Sequence, residues 1–273
     1  MTEPVFELND VHFAYLSKFL ALGGISMTVH RGEKIVIIGA NGTGKSTLLQ
    51  LLDGLIFPDA GTINAFGKPL NEDSFLDADF SKDFRRRVGF VFQNPDVQLF
   101  CPTVREDIMF GPLQLKIAEK EIYERLGAIA DNFGIGDLLE RSPHQLSVGE
   151  KRKVAIASTL IMEPDVIILD EPTAGLDPLT SRHIVDIIID ASSKGRTIIT
   201  ATHDMHVVEE ISDIVYVLGR DRRIARQAPA GEILADIKFL EDNNLVHIHR
   251  HRHDNKTHAH PHIHAHLDHH SGS

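Results

Sequence analysis

The chain has 273 residues, of which 42% are hydrophobic and 25% charged, a balance typical of a folded protein rather than a disordered one. Its net charge of -11 argues against a broad nucleic-acid surface, because phosphate backbones reward basic faces. The apolar runs are too short to cross a bilayer, and the single cysteine, Cys101, cannot form an internal disulfide. The N-terminus does not resemble a secretory signal, so we expect a reducing, cytoplasmic setting and no nucleic-acid partner.

Short apolar runs predict a mostly parallel sheet with flanking helices. Residues 5–15 and 25–29 are predicted strands of an antiparallel part, and residues 46–52 a helix. The runs that we expect to be buried on both faces are residues 34–38, 88–92, 166–169, 197–200 and 214–218. Because helical patterns separate these runs, the predicted fold class is α/β. Residues 95–162 lack such runs over most of their length and predict an inserted helical subdomain.

The composition changes sharply near the C-terminus. Residues 247–273 contain 11 of the 17 histidines. We therefore interpret residues 1–240 as the folded body and residues 241–273 as an appended, flexible tail.

Residues 39–46 read GANGTGKS and match the phosphate-loop pattern G-x-x-x-x-G-K-[ST]. The segment follows a predicted strand and precedes a predicted helix, as the pattern requires, although a glycine-rich turn could match by chance. Glycines let successive N–H groups point at phosphate oxygens, Lys45 should reach the β- and γ-phosphates, and the Ser46 hydroxyl should bind Mg²⁺. The predicted nucleotide-binding residues here are Gly39, Asn41, Gly42, Thr43, Gly44, Lys45, Ser46 and Thr47.

Two carboxylates, Asp170 and Glu171, follow the apolar run at residues 166–169. Ligands of open parallel sheets collect at the carboxyl ends of the strands, so both side chains are predicted to lie beside the phosphate loop. Asp170 would then hold Mg²⁺, and Glu171 would orient or deprotonate an attacking water. Taken alone, such a pair is more often a solvated strand end or a helix cap.

Five further features resemble the ATP-binding cassette family of transport ATPases, and the resemblance spans about residues 3–235. In chain order they are Tyr15 where the family stacks an aromatic ring on adenine, Gln93 at the Q-loop, LSVGE at residues 146–150 for the L-S-G-G-Q signature, AGLD at residues 174–177 for the D-loop, and His203 for the switch histidine. The resemblance implies a P-loop NTPase core with an inserted helical subdomain, and ATP hydrolysis. Tyr15 is the weakest match, since an aromatic residue on a strand is more often in the core.

The resemblance also implies a head-to-tail pair of ATPase subunits, in which ATP bound by one subunit meets the signature of the other. Ser147 and Gly149 would contact that ATP, and Asp177 would cross the seam. By the same resemblance, Gln93 would bind Mg²⁺ and take part in catalysis, and His203 would bond the γ-phosphate. Val148 and Glu150 depart from the family's glycine and glutamine, which adds bulk and negative charge beside a nucleotide.

The segment from Asn94 to Pro112 resembles the Q-loop region of energy-coupling-factor (ECF) transporters, where it cups a helix of a membrane scaffold protein. Leu99, Phe100 and Phe110 could supply apolar contacts and Asp96 a polar one, unless they only pack the helical subdomain. The implied partners are this scaffold, called the T component, and a substrate-binding membrane component. The implied location is the cytoplasmic face of the cell membrane, as a peripheral subunit.

Histidines alternate along residues 247–253, and neutral imidazole suits nickel, cobalt, zinc and copper. The tail thus favours an ECF importer of cobalt or nickel, with possible metal binding by the tail itself. A purification tag and a solubilising tail are the bland alternatives. The alternative functions are an ECF ATPase for another micronutrient such as a vitamin, a cassette ATPase in DNA repair or translation, and a metal-storage factor with a vestigial ATPase.

Overall fold

The computed structural model describes residues 3–253 and 256–262. The strands are β1 (Pro4–Tyr15), β2 (Phe19–His30), β3 (Lys34–Gly39), β4 (Ala60–Ala65), β5 (Lys68–Pro69), β6 (Val88–Val91), β7 (Val166–Asp170), β8 (Thr197–Ala201), β9 (Ile214–Leu218), β10 (Ile224–Ala228), β11 (His247–His253) and β12 (Lys256–His262). The helices are α1 (Lys45–Leu52), α2 (Glu72–Leu76), α3 (Ala78–Arg87), α4 (Val104–Gln114), α5 (Glu119–Phe133), α6 (Val148–Leu160), α7 (Pro178–Ser193), α8 (Met205–Ile211), α9 (Ala230–Ala235) and α10 (Ile237–Asp242). No helix in these described ranges is both long and apolar enough to cross a bilayer.

The central sheet has six strands in the order β10-β9-β3-β8-β7-β6. All neighbouring pairs are parallel except β10 with β9, which is an antiparallel edge pair. A second, antiparallel sheet has the order β2-β1-β4-β5. The predicted α/β class with an antiparallel part is confirmed.

Two hydrophobic cores lie on opposite faces of the central sheet, and β3 shows how the sequence divides between them. Ile35 and Ile37 belong to the core that includes α1 and the antiparallel sheet, whereas Val36 and Ile38 belong to the core that includes the helical subdomain. Alternate residues of a strand point to opposite faces, so a continuous apolar run is what a doubly covered strand needs.

Helices α4, α5 and α6 lie between β6 and β7, within the range where the sequence predicts an inserted subdomain. Capping residues mark where these helices begin and end. Thr103 and Glu106 form a capping box at the start of α4, and Gly134 ends α5 in the left-handed conformation with a φ of 61°.

The packed body extends past the boundary predicted at residue 240. Leu240 and Val246 are buried, with Val246 only 6% exposed, and both belong to the core on the helical-subdomain side. The predicted boundary was based on histidine content, and histidine content carries no information about the apolar residues just before the tail. In the tail, β11 and β12 pair antiparallel, with His247 opposite His262. The histidines at residues 264–270 lie outside the described residues.

Candidate nucleotide-binding and catalytic site

The sheet order brings three distant parts of the chain to one edge. β8 lies between β3 and β7, and all three strands run parallel. The phosphate loop follows β3, Glu171 follows β7, and His203 lies two residues after β8. Their side chains therefore meet at the carboxyl edge of the sheet, as expected for a ligand site in this architecture.

The phosphate loop curls between β3 and α1, and two of its glycines are required by the geometry. Gly44 precedes α1 with a φ of 103°, and a Cβ there would lie 2.4 Å from the Ala21 carbonyl oxygen. A Cβ on Gly39 would lie 2.6 Å from Thr43 Oγ1. At the tip, Asn41 and Gly42 are exposed; Thr43, Lys45 and Thr47 are buried, and Ser46 is half-buried.

Lys45 is buried inside the loop that it is predicted to serve. Its Nζ donates to the carbonyl oxygen of Gly39 at 2.8 Å and lies 4.0 Å from Glu171 Oε1. Burial lowers the pKa of Lys45, and the carboxylates of Glu171 and Asp170 oppose that shift. The lysine thus lies inside the loop beside Glu171, and a phosphate oxygen could replace the Gly39 carbonyl oxygen as the acceptor of its hydrogen bond.

Asp170, the last residue of β7, has the environment expected of a magnesium-binding carboxylate. Its Oδ1 is buried and has no hydrogen-bond partner among the described residues. Burial raises the pKa of Asp170, while the Ser46 side chain beside it opposes that shift. Mg²⁺ prefers hard oxygen ligands, so an unpartnered carboxylate oxygen next to a serine hydroxyl fits this ion.

Glu171 connects the lysine to the histidine. Its Oε2 accepts from His203 Nδ1 at 2.8 Å and from the His203 N–H at 3.3 Å. This hydrogen bond raises the pKa of His203, because a carboxylate stabilises the imidazolium. The Glu171 backbone is left-handed, with a φ of 49°, and its N–H donates to the Ala201 carbonyl oxygen at 2.9 Å. The constrained backbone thus fixes the direction of the Glu171 side chain.

Tyr15 lies over the start of α1 rather than in the core. Its hydroxyl is 3.1 Å from Thr47 Oγ1 and donates to Gln50 Oε1 at 3.4 Å, and the residue is 43% exposed. Gln93 is exposed two residues after the end of β6, the neighbour of β7. The roles predicted for both residues stay predictions.

The signature and the D-loop lie next to each other, apart from this chain's own phosphate loop. Ser147 caps α6 and Asp177 caps α7, and a Cβ on Gly149 would lie 3.1 Å from Thr180 Cγ2. Hydrogen bonds from Thr180 lower the pKa of Asp177. Within the described part of the chain, no hydrogen bond or ion pair joins residues 147–150 to residues 39–47.

Sequence reasoning missed Arg152. This arginine of α6 is 2% exposed and donates to the Phe92 carbonyl oxygen at 2.8 Å, just before Gln93. Burial lowers the pKa of Arg152, and the charges of Asp170 and Glu171 oppose that shift. The residue therefore links the signature helix to the chain just before Gln93, within the electrostatic influence of Asp170 and Glu171. A basic residue at a buried helical position is the signal that could have identified it.

A family model described as ABC transporter matches residues 22–174. The chain belongs to the ABC transporter family. It is 48% identical over 246 residues to the nickel import ATP-binding protein NikO of Rhodobacter capsulatus, which covers 89% of this chain and 96% of NikO. It is 41% identical over 245 residues to the energy-coupling factor transporter ATP-binding protein EcfA of Methanothermobacter thermautotrophicus, covering 88% of this chain and 76% of EcfA.

A solved structure gives the same result for the fold. The structure of cbiO1 from Clostridium perfringens, described as part of the ABC transporter complex cbiONQ, superposes with a TM-score of 0.75 at 37% identity. The match covers 89% of this chain and 95% of cbiO1. The resemblance seen in the sequence motifs is confirmed, and the chain is an ABC ATPase that uses ATP and Mg²⁺.

Proposed function

We propose that this ABC ATPase energises an ECF-type importer of nickel or cobalt ions. The observation that carries the proposal is the position of Glu171, which contacts His203 at 2.8 Å and lies 4.0 Å from Lys45 at the edge that also holds the phosphate loop. A general base, a phosphate-binding cation and a histidine donor thus share one small volume. These are the parts that phosphoryl transfer from ATP to water requires.

The residues of this chain have distinct roles in hydrolysis. Glu171 positions the attacking water and accepts its proton, and Lys45 stabilises the charge that develops on the γ-phosphate. His203 donates to the γ-phosphate once its hydrogen bond with Glu171 is broken. Ser46, Asp170 and Gln93 would hold Mg²⁺, which would supply charge neutralisation on the phosphates when bound.

Two subunits complete each site. In the described residues the signature segment with Ser147 and Gly149 forms no hydrogen bond or ion pair with its own phosphate loop, yet it places helix donors at the surface. A helix N-terminus favours an anion, and the triphosphate on a second subunit supplies one. Asp177 caps α7, whose start lies next to the signature segment, and it reaches the seam between the two subunits from that side.

The surface for the membrane scaffold lies on the helical subdomain. Phe100 is 65% exposed and Phe110 41%, and their rings meet edge to face with centroids 4.9 Å apart. Asp96 is exposed and accepts from Lys151 Nζ at 2.6 Å. Leu99 is 5% exposed and packs in the core, so the alternative of packing within the helical subdomain applies to this residue. Leu99 is thus buried, whereas the next residue, Phe100, is exposed.

Such docking makes the ATPase a peripheral subunit at the cytoplasmic face of the membrane. Its membrane partners are the scaffold, or T component, and a substrate-binding component. The Asn94–Pro112 segment and the similarity to EcfA support the ECF class.

The cargo assignment combines two kinds of support. The relatives NikO and cbiO1 come from nickel import and the cbiONQ complex, and this chain carries 11 histidines in residues 247–273. In the β11–β12 register, His249 stands opposite His260 and His251 opposite His258. Histidine pairs at alternate register positions provide the donor type that Ni²⁺ and Co²⁺ prefer. We include metal binding by the tail in the proposal.

Radiolabelled metal uptake tests this function. The chain is expressed with a T component and a substrate-binding membrane component, in cells that lack their own nickel and cobalt importers. Uptake of ⁶³Ni²⁺ or ⁵⁷Co²⁺ is expected with the wild type and is expected to fall to background with Lys45→Ala. Uptake that survives Lys45→Ala, or transport of neither ion, contradicts the proposal.

A further inference from the structure

Glu150 holds the donors at the start of the signature helix. The Ser147 N–H donates to Glu150 Oε2 at 2.7 Å, and the Ser147 hydroxyl donates to the same oxygen at 2.8 Å. The Glu150 N–H in turn donates to Ser147 Oγ at 3.3 Å. A serine hydroxyl has one hydrogen to donate, so Glu150 takes the proton that this hydroxyl could offer to another acceptor.

The Glu150 carboxylate is also a persistent negative charge at this helix end. Hydrogen bonds from the Ser147 backbone and hydroxyl lower the pKa of Glu150, and the nearby cations Arg141 and Lys153 act in the same direction. The group therefore stays ionised at neutral pH. In the single chain this arrangement is favourable, because an anion at a helix N-terminus compensates the helix dipole.

We propose that Glu150 opposes the ATP-dependent pairing of two subunits. The inference rests on the proposed function, in which this helix end faces the triphosphate bound by a second copy of the chain. An incoming phosphate oxygen must take the Ser147 hydroxyl from Glu150 and then lie near its charge. The carboxylate is thus an internal competitor of the partner's nucleotide, and higher ATP concentrations are needed to close the pair.

A role as a mere helix cap makes a different prediction. Glutamine at this position keeps an oxygen that accepts from the Ser147 N–H, so a capping box survives Glu150→Gln. If capping were the whole role, the substitution would leave pairing unchanged or weaken it slightly. If the charge competes with phosphate, the same substitution strengthens pairing.

The test measures pairing in a chain that cannot turn over. Glu171→Gln serves as the parent, and sedimentation velocity follows dimer formation against Mg-ATP concentration. Adding Glu150→Gln is expected to lower the ATP concentration for half-maximal pairing by about fivefold, as removal of one partly screened repulsion predicts. The gain should shrink as NaCl rises from about 50 to about 500 mM, because salt screens the charge.

A matched control exists in α4. Glu106 occupies the same third position of a capping box, with Thr103 as its cap, and is exposed. Glu106→Gln removes the same charge from an equivalent helix start and is expected to leave pairing unchanged. Melting temperatures of all variants confirm that they are folded.

The outcomes are separable. Pairing by Glu150→Gln equal to or weaker than the parent overturns the inference, as does an equal gain with Glu106→Gln. A parent that never pairs with ATP, together with a wild type that does not hydrolyse ATP, instead overturns the proposed function and the inference with it.

Discussion

At the residue scale, the site depends on where one carboxylate is held. Glu171 is buried directly after β7, and its left-handed backbone turns the side chain between Lys45 and His203. A hydrogen bond from the Glu171 N–H to Ala201 ties that turn to the neighbouring strand β8. Geometry of this kind puts a base within reach of a water while the surrounding charges keep it oriented.

Glu171→Gln is expected to lower the steady-state ATPase rate by 10²- to 10⁴-fold, the usual contribution of a general base, while ATP still binds. The amide keeps the size of the side chain but cannot accept the proton of water. Phosphate release gives the rate, and fluorescence of a labelled nucleotide gives the affinity. Glu124→Gln, at an exposed position of α5, serves as the control. Turnover within tenfold of wild type would remove Glu171 from this role.

At the scale of elements, the joints where helices contact one another determine both the stability of the fold and the coupling of ATP hydrolysis to metal uptake. Asp53 ends α1, and Arg85 of α3 donates to its carbonyl oxygen at 2.7 Å and to its Oδ2 at 3.1 Å. Arg85 also lies over the ring of Phe75 at 5.1 Å. This joint fixes the phosphate-loop helix against the aromatic cluster on α2 and α3.

The Asp53 joint predicts a pH-dependent stability. Burial raises the pKa of Asp53 to about 7, although Arg85 opposes the shift. Since the native state then holds this proton up to about pH 7 and the unfolded state loses it near its ordinary value of 3.8, stability should fall as pH rises between those values. The slope expected from one such group is up to about 1.4 kcal/mol per pH unit.

Urea unfolding between pH 4.5 and 8 checks this, because Asp53→Asn should flatten the slope below pH 7. Asp73→Asn, at an exposed position of α2, is the matched control. An identical slope in wild type and Asp53→Asn would contradict a proton held at this joint.

The scaffold surface gives an element-scale prediction of coupling. Asp96→Lys combined with Phe100→Ala removes one polar and one apolar contact, and is expected to lower metal uptake at least about tenfold, as loss of an interface anchor does. ATP hydrolysis by the purified subunit should fall much less than metal uptake, because in the described part of the chain neither residue bonds to residues 39–47 and only the Asp96 ion pair with Lys151 of α6 is lost. Vesicle uptake and phosphate release measure the two quantities.

The control pair for that experiment is Asp137→Lys with Tyr123→Ala, which changes the same residue classes elsewhere on the helical subdomain, where both positions are exposed. Unchanged uptake in the Asp96 and Phe100 variant, or an equal loss in the control pair, would count against docking at this surface.

At the scale of the whole molecule, the body and the histidine-rich segment separate at Val246. Residues up to Val246 pack against the core, and the histidine-rich stretch begins at residue 247. The residues proposed for catalysis and the histidines proposed for metal binding therefore lie in different parts of the chain. Truncating the chain between these two parts can therefore remove the histidines and leave the body intact.

Truncation after Val246 is expected to leave the ATPase rate within about twofold of wild type and to abolish high-capacity binding of Ni²⁺ or Co²⁺, because 11 of the 17 histidines are lost. Titration calorimetry measures the stoichiometry. Truncation after Phe239 also removes Leu240 and Val246, and should destabilise the body by about 2–4 kcal/mol through lost burial. Full metal stoichiometry in the shorter chain would contradict binding by the tail.

The sequence by itself determined the features that lie within short stretches of chain. The phosphate loop, the carboxylates after residue 169, the signature and the alternating histidines are each readable because their chemistry needs fixed residue types at fixed local spacing. The apolar runs also predicted the parallel sheet, since a strand covered on both faces must be apolar throughout.

Only the tertiary structure decided which of these residues meet. It placed the carboxylate of Glu171 against His203, 32 positions along the chain, buried Arg152 within the field of Asp170, and turned Leu99 inward while Phe100 stayed exposed. It also packed Val246 into the core. These outcomes depend on the order of strands and on how helices fit together, and pairings between distant segments leave no periodic trace in one sequence.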